Sequence, residues 1–184
     1  MQKNASYFPE GVNLISLKMH HDERGMFSEL YRKEWNIGID TLQWNIAHSQ
    51  PNVLRGVHLH WNHIDYLIVI KGHMTLCLQD VRESSLTKGK SYRIELKENE
   101  LQGIVIPTGI AHGFYFNEPS THIYSVSDYW NLSDELGCKW NSSELNMDWP
   151  CNNPMLSHRD SHASTYNAMI QEYLQRSSEN VVTA

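Results

Sequence analysis

The sequence predicts an all-β domain, a sandwich or barrel of short strands. Short runs of apolar or alternating residues recur along the whole chain. Glycine and proline turns separate them at close spacing. Only one stretch, near the end, has a helical period instead.

Residues 12–19 read as the first strand, and 21–25 as a turn, because a polar run ends in Gly25. Residues 26–31 alternate loosely and read as a strand. A brief helical turn is expected over 32–36, before Gly38. Residues 42–48 form the next strand, and Pro51-Asn52 a turn. The apolar run 53–60 and the run 65–71 read as buried strands, with Lys71-Gly72-His73 as the turn after them. Residues 74–79 alternate cleanly; 84–90 are polar and turn-like. Strands follow at 91–96, at 103–107 (closed by Pro107 and Gly109), at 111–116 and at 121–130. Over 163–176 the apolar residues Tyr166, Met169, Ile170, Tyr173 and Leu174 make one helical stripe. Residues 177–184 read as a frayed end. No repeat or linker divides the chain, so residues 1–184 are expected to form a single domain.

The chain has 184 residues, 40% of them hydrophobic, and a net charge of -6. It carries no basic block, which argues against a nucleic-acid or anionic-membrane partner. Its longest apolar runs, such as Tyr66-Leu67-Ile68-Val69-Ile70, are too short to cross a bilayer. The first twenty residues hold no signal-peptide hydrophobic region. Three cysteines, Cys77, Cys138 and Cys151, form no CxxC pair, which fits a reducing cytoplasm.

The stretch Val53-Leu54-Arg55-Gly56-Val57-His58-Leu59-His60 concentrates the chemistry. Strand side chains alternate, so His58 and His60 share a face. Arg55 would face the other way unless a bulge at Gly56 brings it round. A guanidinium beside two imidazoles suits an anion site with a base, or a metal site. For the metal, His58, His60, Asp65 and His112 have the spacing of a cupin ligand set, with aspartate where glutamate is usual. Three imidazoles and a carboxylate suit a divalent first-row ion.

A second pattern uses more of the chain. Asp22-x-Arg24-Gly25-x-Phe27-x-Glu29, Gln43-x-Asn45, Leu54-Arg55-Gly56-x-His58, Ile106-Pro107-x-Gly109-x-Ala111-His112-Gly113-Phe114, the run 124–129 and Leu156-Ser157-x-x-Asp160 occur in that order. This resembles the dTDP-4-dehydrorhamnose 3,5-epimerase family of nucleotide-sugar enzymes. The resemblance implies a cupin jelly roll with a short C-terminal helix, a homodimer, a nucleotide-diphosphate sugar as substrate, and no metal or other cofactor. It implies epimerisation of a 4-keto-6-deoxy sugar at C3, C5 or both, in deoxysugar or surface polysaccharide biosynthesis. By the same carry-over His58 is the base, Asp160 orients it and Tyr124 is the acid on the opposite face. Arg24 and Arg55 would hold the diphosphate. Glu29, Gln43 and Asn45 match the nucleotide end, His112 the sugar, and Trp130 and Arg159 the base. One departure stands out. The family has a lysine shortly after the catalytic histidine, at the enolate oxygen. Counted back from Gly72 that position is Asp65, and counted forward from His58 it is Tyr66. His60 or His63, if protonated, could substitute; an inactive sugar-nucleotide-binding protein is the other outcome.

Overall fold

The structure, a computed structural model, describes residues 8–183, with side chains to residue 178. Two five-stranded sheets pack face to face as a jelly roll. The first orders β1 (Asn13–Ser16), β9 (Gln102–Ile106), β6 (Asp65–Lys71), β11 (Ser120–Val126) and β4 (Gln43–Ser49). The second orders β12 (Glu135–Gly137), β5 (Val53–His60), β10 (Ile110–Phe116), β7 (His73–Asp80) and β8 (Ser91–Lys97). The named ladders are all antiparallel. A separate hairpin, β2 (His20–Asp22) and β3 (Gly25–Phe27), pairs only with itself.

Period-two alternation explains three apolar layers. In β6, Leu67 and Val69 face between the sheets, where they meet Leu76 and Leu78 of β7 and Phe116 of β10. Tyr66 and Ile68 face outward, under a cover of Leu17, Ile37 and Ile39. On the far side of the other sheet, Val57 and Leu59 of β5 pack against Met169 and Tyr173. Those two belong to the C-terminal helix α2 (Tyr166–Thr183). Trp140 and Trp149 join this third layer and Trp35 the second.

The sequence reading differs at several ends. The stretch 26–31 keeps only a short strand, because residues 28–32 leave the hairpin to cover Tyr66, whose hydroxyl donates to the Leu30 carbonyl at 2.6 Å. Strand β11 ends at Val126 rather than at residue 130. Helix α2 starts at Tyr166 and runs past Arg176 to Thr183, so the expected fraying after 176 is absent there; Ala184 lies outside the described residues. Strand β12 and the four-residue α1 (His158–Ser161) were not anticipated. No helix among the described residues is long and apolar enough to cross a membrane.

Two features of this frame are open to test. A Cβ on Gly103 would stand 2.3 Å from Tyr66 Oη and 2.4 Å from its ring. Gly103→Ala is therefore expected to cost about 1–3 kcal/mol in urea unfolding; an unchanged midpoint would show that the Tyr66 ring moves aside freely. Asp80 is buried and accepts from Arg82, Ser85 and Thr87 at 2.5–2.9 Å. Burial alone would raise its pKa, but these bonds outweigh it and hold the value at about 2. A depressed carboxylate contributes stability above its ordinary value and loses it as pH falls toward its folded value. Unfolding free energy should thus decline from about pH 4 to about pH 2, and less steeply in Asp80→Asn. Equal slopes in the two proteins would remove Asp80 from the account.

Candidate active site

One end of the space between the sheets is polar and open, a cavity of about 460 Å³. Its geometry depends on a bulge. His58 of β5 stands opposite His112 of β10, yet Gly56 stands opposite Gly113, so Val57 is one residue too many. The mismatch puts Arg55 and His58 on the same face, and both line the cavity. Gly56 has φ +118°, and a Cβ there would come within 2.9 Å of Gly113 Cα, so a glycine is required.

His58 Nε2 donates to Asp160 Oδ1 at 2.8 Å. Asp160 sits in α1, where Ser157 Oγ caps its N–H at 3.0 Å. Its second oxygen accepts from the Gly56 N–H at 3.4 Å. Burial alone would raise the Asp160 pKa, but the bonds from His58, Ser157 and Gly56 outweigh it and hold the carboxyl ionised. Arg159 Nη2 also abuts His58 Nε2, and its Nη1 pairs with Glu135 at 2.9 Å. Glu135 accepts from the Trp130 indole at 3.0 Å as well. Tyr124, on β11, stands in the opposing sheet and lines the same cavity. Burial, together with the carboxylates of Asp65 and Glu135, raises its pKa, so the phenol keeps its proton.

Deeper in, Asp65 is the first inward residue of β6, while Tyr66 faces the outer layer. Of the two residues counted to the family's lysine position, the one that faces the cavity is Asp65. His60, His63 and His112 surround it. Burial lowers the pKa of His112 to about 3 and that of His60 well below its usual value, so both imidazoles are neutral. Burial likewise raises the Asp65 carboxyl, to about 7. Of the four expected metal ligands, His60, Asp65 and His112 offer atoms within 4.8 Å of one another. His58 is turned to Asp160 instead and does not complete the set.

The remaining expected residues divide. Trp130, Arg159 and His112 line the cavity. Gln43 and Asn45 lie on β4, on the face of the cavity-lining Ala47; Gln43 donates to Asn45 at 2.8 Å and accepts from the Trp130 N–H. Arg24 and Glu29 are not brought to the cavity of their own chain. Arg24 is folded onto Asp22 at the tip of an exposed hairpin, and Glu29 pairs with Arg32 in the strap beyond it. His122, which the sequence reading does not single out, is buried on the inward face of β11 and lines the cavity. Glu135 was missed because nothing in the short β12 run marks it as a strand. His122 had a signal: it is two residues from Tyr124 and so shares its face.

The model of the dTDP-4-dehydrorhamnose 3,5-epimerase family matches residues 9–168. The spore coat polysaccharide biosynthesis protein SpsL of Bacillus subtilis (strain 168) is 31% identical over 144 residues, 76% of this chain and 95% of that protein. A dTDP-4-dehydrorhamnose 3,5-epimerase of Shigella flexneri is 29% identical over 158 residues, 81% of this chain and 87% of that one. Among solved structures, a dTDP-6-deoxy-D-glucose-3,5-epimerase of Legionella pneumophila, in complex with dTDP-4-keto-L-rhamnose, superposes with a TM-score of 0.81. It is 28% identical, and the match covers 89% of this chain and 92% of that chain.

Removing the Asp160 carboxylate strands the Gly56 N–H and the His58 ring inside the protein. Asp160→Ala is expected to lower stability by about 1–3 kcal/mol in urea unfolding. A loss within error of zero would mean that water replaces both bonds.

Proposed function

The chain belongs to the dTDP-4-dehydrorhamnose 3,5-epimerase family, and from that premise we propose that it epimerises a nucleotide-linked 4-keto-6-deoxy sugar at C3, C5 or both, through an enolate. The observation that carries this reading is the pairing of His58 with Asp160 on one wall of a single cavity, with Tyr124 on the other. The 4-keto group acidifies the hydrogens on C3 and C5. His58 takes one of them at the ring nitrogen that bears the lone pair, and the electron pair moves toward the C4 oxygen. Asp160 fixes the tautomer and stabilises the imidazolium that forms. Tyr124 returns a proton from the opposite face, which inverts the carbon. A phenol held protonated by burial suits that role.

Binding follows from the same arrangement. Arg55 is held at the cavity edge by Ser49 Oγ and the His48 carbonyl, both at 3.0 Å, and offers its guanidinium to the diphosphate. Trp130 and Arg159 flank the nucleobase, with Gln43 and Asn45 beside them, and His112 lies by the sugar. Arg24 and Glu29 reach a cavity only as a second copy's contribution, so the working unit is a homodimer. Its support is the uncovered apolar surface of the hairpin and of the edge strand β4. Phe27 is 65% exposed and Ile46 61%. The chain acts as a single domain in the cytoplasm, in deoxysugar or surface polysaccharide synthesis; its three cysteines are unpaired.

Proton NMR of a dTDP-4-keto-6-deoxy sugar in heavy water tests the chemistry. The wild-type protein should erase the C3 signal, the C5 signal or both. His58→Ala should slow exchange and product formation together, by about 10²–10⁴-fold. Tyr124→Phe should keep exchange while product formation falls. Wild-type exchange in His58→Ala would refute the base assignment, and an unimpaired Tyr124→Phe would remove the acid.

A further inference from the structure

The environment of Asp65 is unusual for a buried carboxylate. Its Oδ2 stands 3.4 Å from His60 Nε2 and 3.6 Å from His112 Nε2, and its Oδ1 stands 3.7 Å from His63 Nε2. Charge-assisted hydrogen bonds between nitrogen and oxygen run at about 2.7–2.9 Å, so these contacts are too long to be good ones. They have instead the spacing of two ligands on one ion. Atoms each about 2.1 Å from a tetrahedral centre stand about 3.4 Å apart.

The donor roles point the same way. His112 Nδ1 lies 3.0 Å from the Ile110 carbonyl oxygen, which can only accept. Nδ1 therefore carries the hydrogen and Nε2 carries a lone pair, aimed at a carboxylate oxygen. The His112 lone pair faces Asp65 Oδ2 at 3.6 Å, too long for a good hydrogen bond, where neither group reaches solvent freely, His112 being 2% exposed and Asp65 6%. His60 Nδ1 is buried with no hydrogen-bond partner, and Glu135 Oε1 lies 3.6 Å from it. With its hydrogen on that side, toward the carboxylate, His60 Nε2 also presents a lone pair to Asp65. A positive charge among the three atoms answers all of these contacts at once.

We propose that His60, Asp65 and His112 bind a divalent first-row transition-metal cation. Two neutral imidazoles and one carboxylate suit such an ion, whereas magnesium and calcium favour all-oxygen sets. The three ligands come from β5, β6 and β10, and all line the cavity, which leaves further coordination positions facing the sugar. His63 backs the site. Its ring stacks on His60 at 3.9 Å, and its Nδ1 is tied to Asp134 at 2.5 Å, so the plane of His60 is held. The ion's role rests on the epimerase reading. When the bond from hydrogen to C3 or C5 breaks, the proton goes to His58 and the electron pair to the C4 oxygen, where a cation stabilises it. Asp65 would then hold, through the ion, the positive charge that the family's lysine supplies directly.

Cobalt(II) is the probe. Untagged protein, stripped with a chelator and dialysed, is titrated with cobalt(II) and followed by visible d–d absorption. One saturable equivalent per chain is expected, bleached by competing zinc. Asp65→Asn, nearly isosteric, and His112→Gln should each bind cobalt at least about tenfold more weakly, with circular dichroism reporting the fold. No uptake by the wild type, or undiminished uptake in both variants, would overturn the proposal. Heavy-water exchange on the same stripped and reloaded samples separates the two readings. Cobalt binding without exchange sinks the epimerase reading and keeps the site. Exchange without cobalt uptake sinks the site and keeps the epimerase.

Discussion

Val57 has no partner across the ladder between β5 and β10, and this mismatch decides which side chains meet in the cavity. In a regular strand Arg55 and His58 would lie on opposite faces. The extra residue turns one half of the strand against the other, so Val53 and Arg55 face inward before it and His58 and His60 after it. Val57 itself is directed to the layer under α2, together with Leu59. Two glycines, Gly56 and Gly113, let the backbones approach where the registers slip. The same device leaves the Gly56 N–H free to meet Asp160, so the bulge and the His58 partner are parts of one arrangement.

Placing this much polarity between sheets requires that each group find a partner or change its charge. Asp134 shows the first solution: it accepts from three successive backbone N–H groups, those of Trp61, Asn62 and His63, and from the His63 ring. Glu135 is held between Arg159 and Trp130. Asp65 has no close hydrogen-bond donor among the described residues, its nearest imidazole nitrogens standing 3.4–3.7 Å away, and burial raises its pKa to about 7. The cavity is asymmetric: the His58 imidazole, paired with Asp160, lies on one part of its wall, and the buried Asp65 with its three histidines on another.

Much of this was legible in the residues. The turn chemistry and alternation located β4 to β10 within a residue or two, because buried strands must alternate to fill two layers at once. The bulge could be read from a glycine placed between an arginine and a histidine. Six spaced blocks identified the family, since a catalytic set gathered from distant strands leaves its members in fixed order. What stayed hidden has physical causes. Edge strand β12 is too short for a period, and α1 is defined by its cap and not by a stripe. His122 looked like a polar strand residue because charge state in a cavity is set by neighbours far along the chain. Arg24 and Glu29 were carried over from the motif alone, and one chain does not deliver them to its own cavity.

His58 and Asp160 lie 102 residues apart, and β12 reaches β5 from between 75 and 79 residues along the chain. Contacts of such long range are made late in folding, after the loops between them have closed. On a ribosome, the jelly roll through β11 can emerge and begin to pair while α1 is still unsynthesised. During that interval the imidazole of His58 has no carboxylate, and the Gly56 amide has no acceptor. The His58–Asp160 pair therefore forms only after every strand of the two sheets has been made.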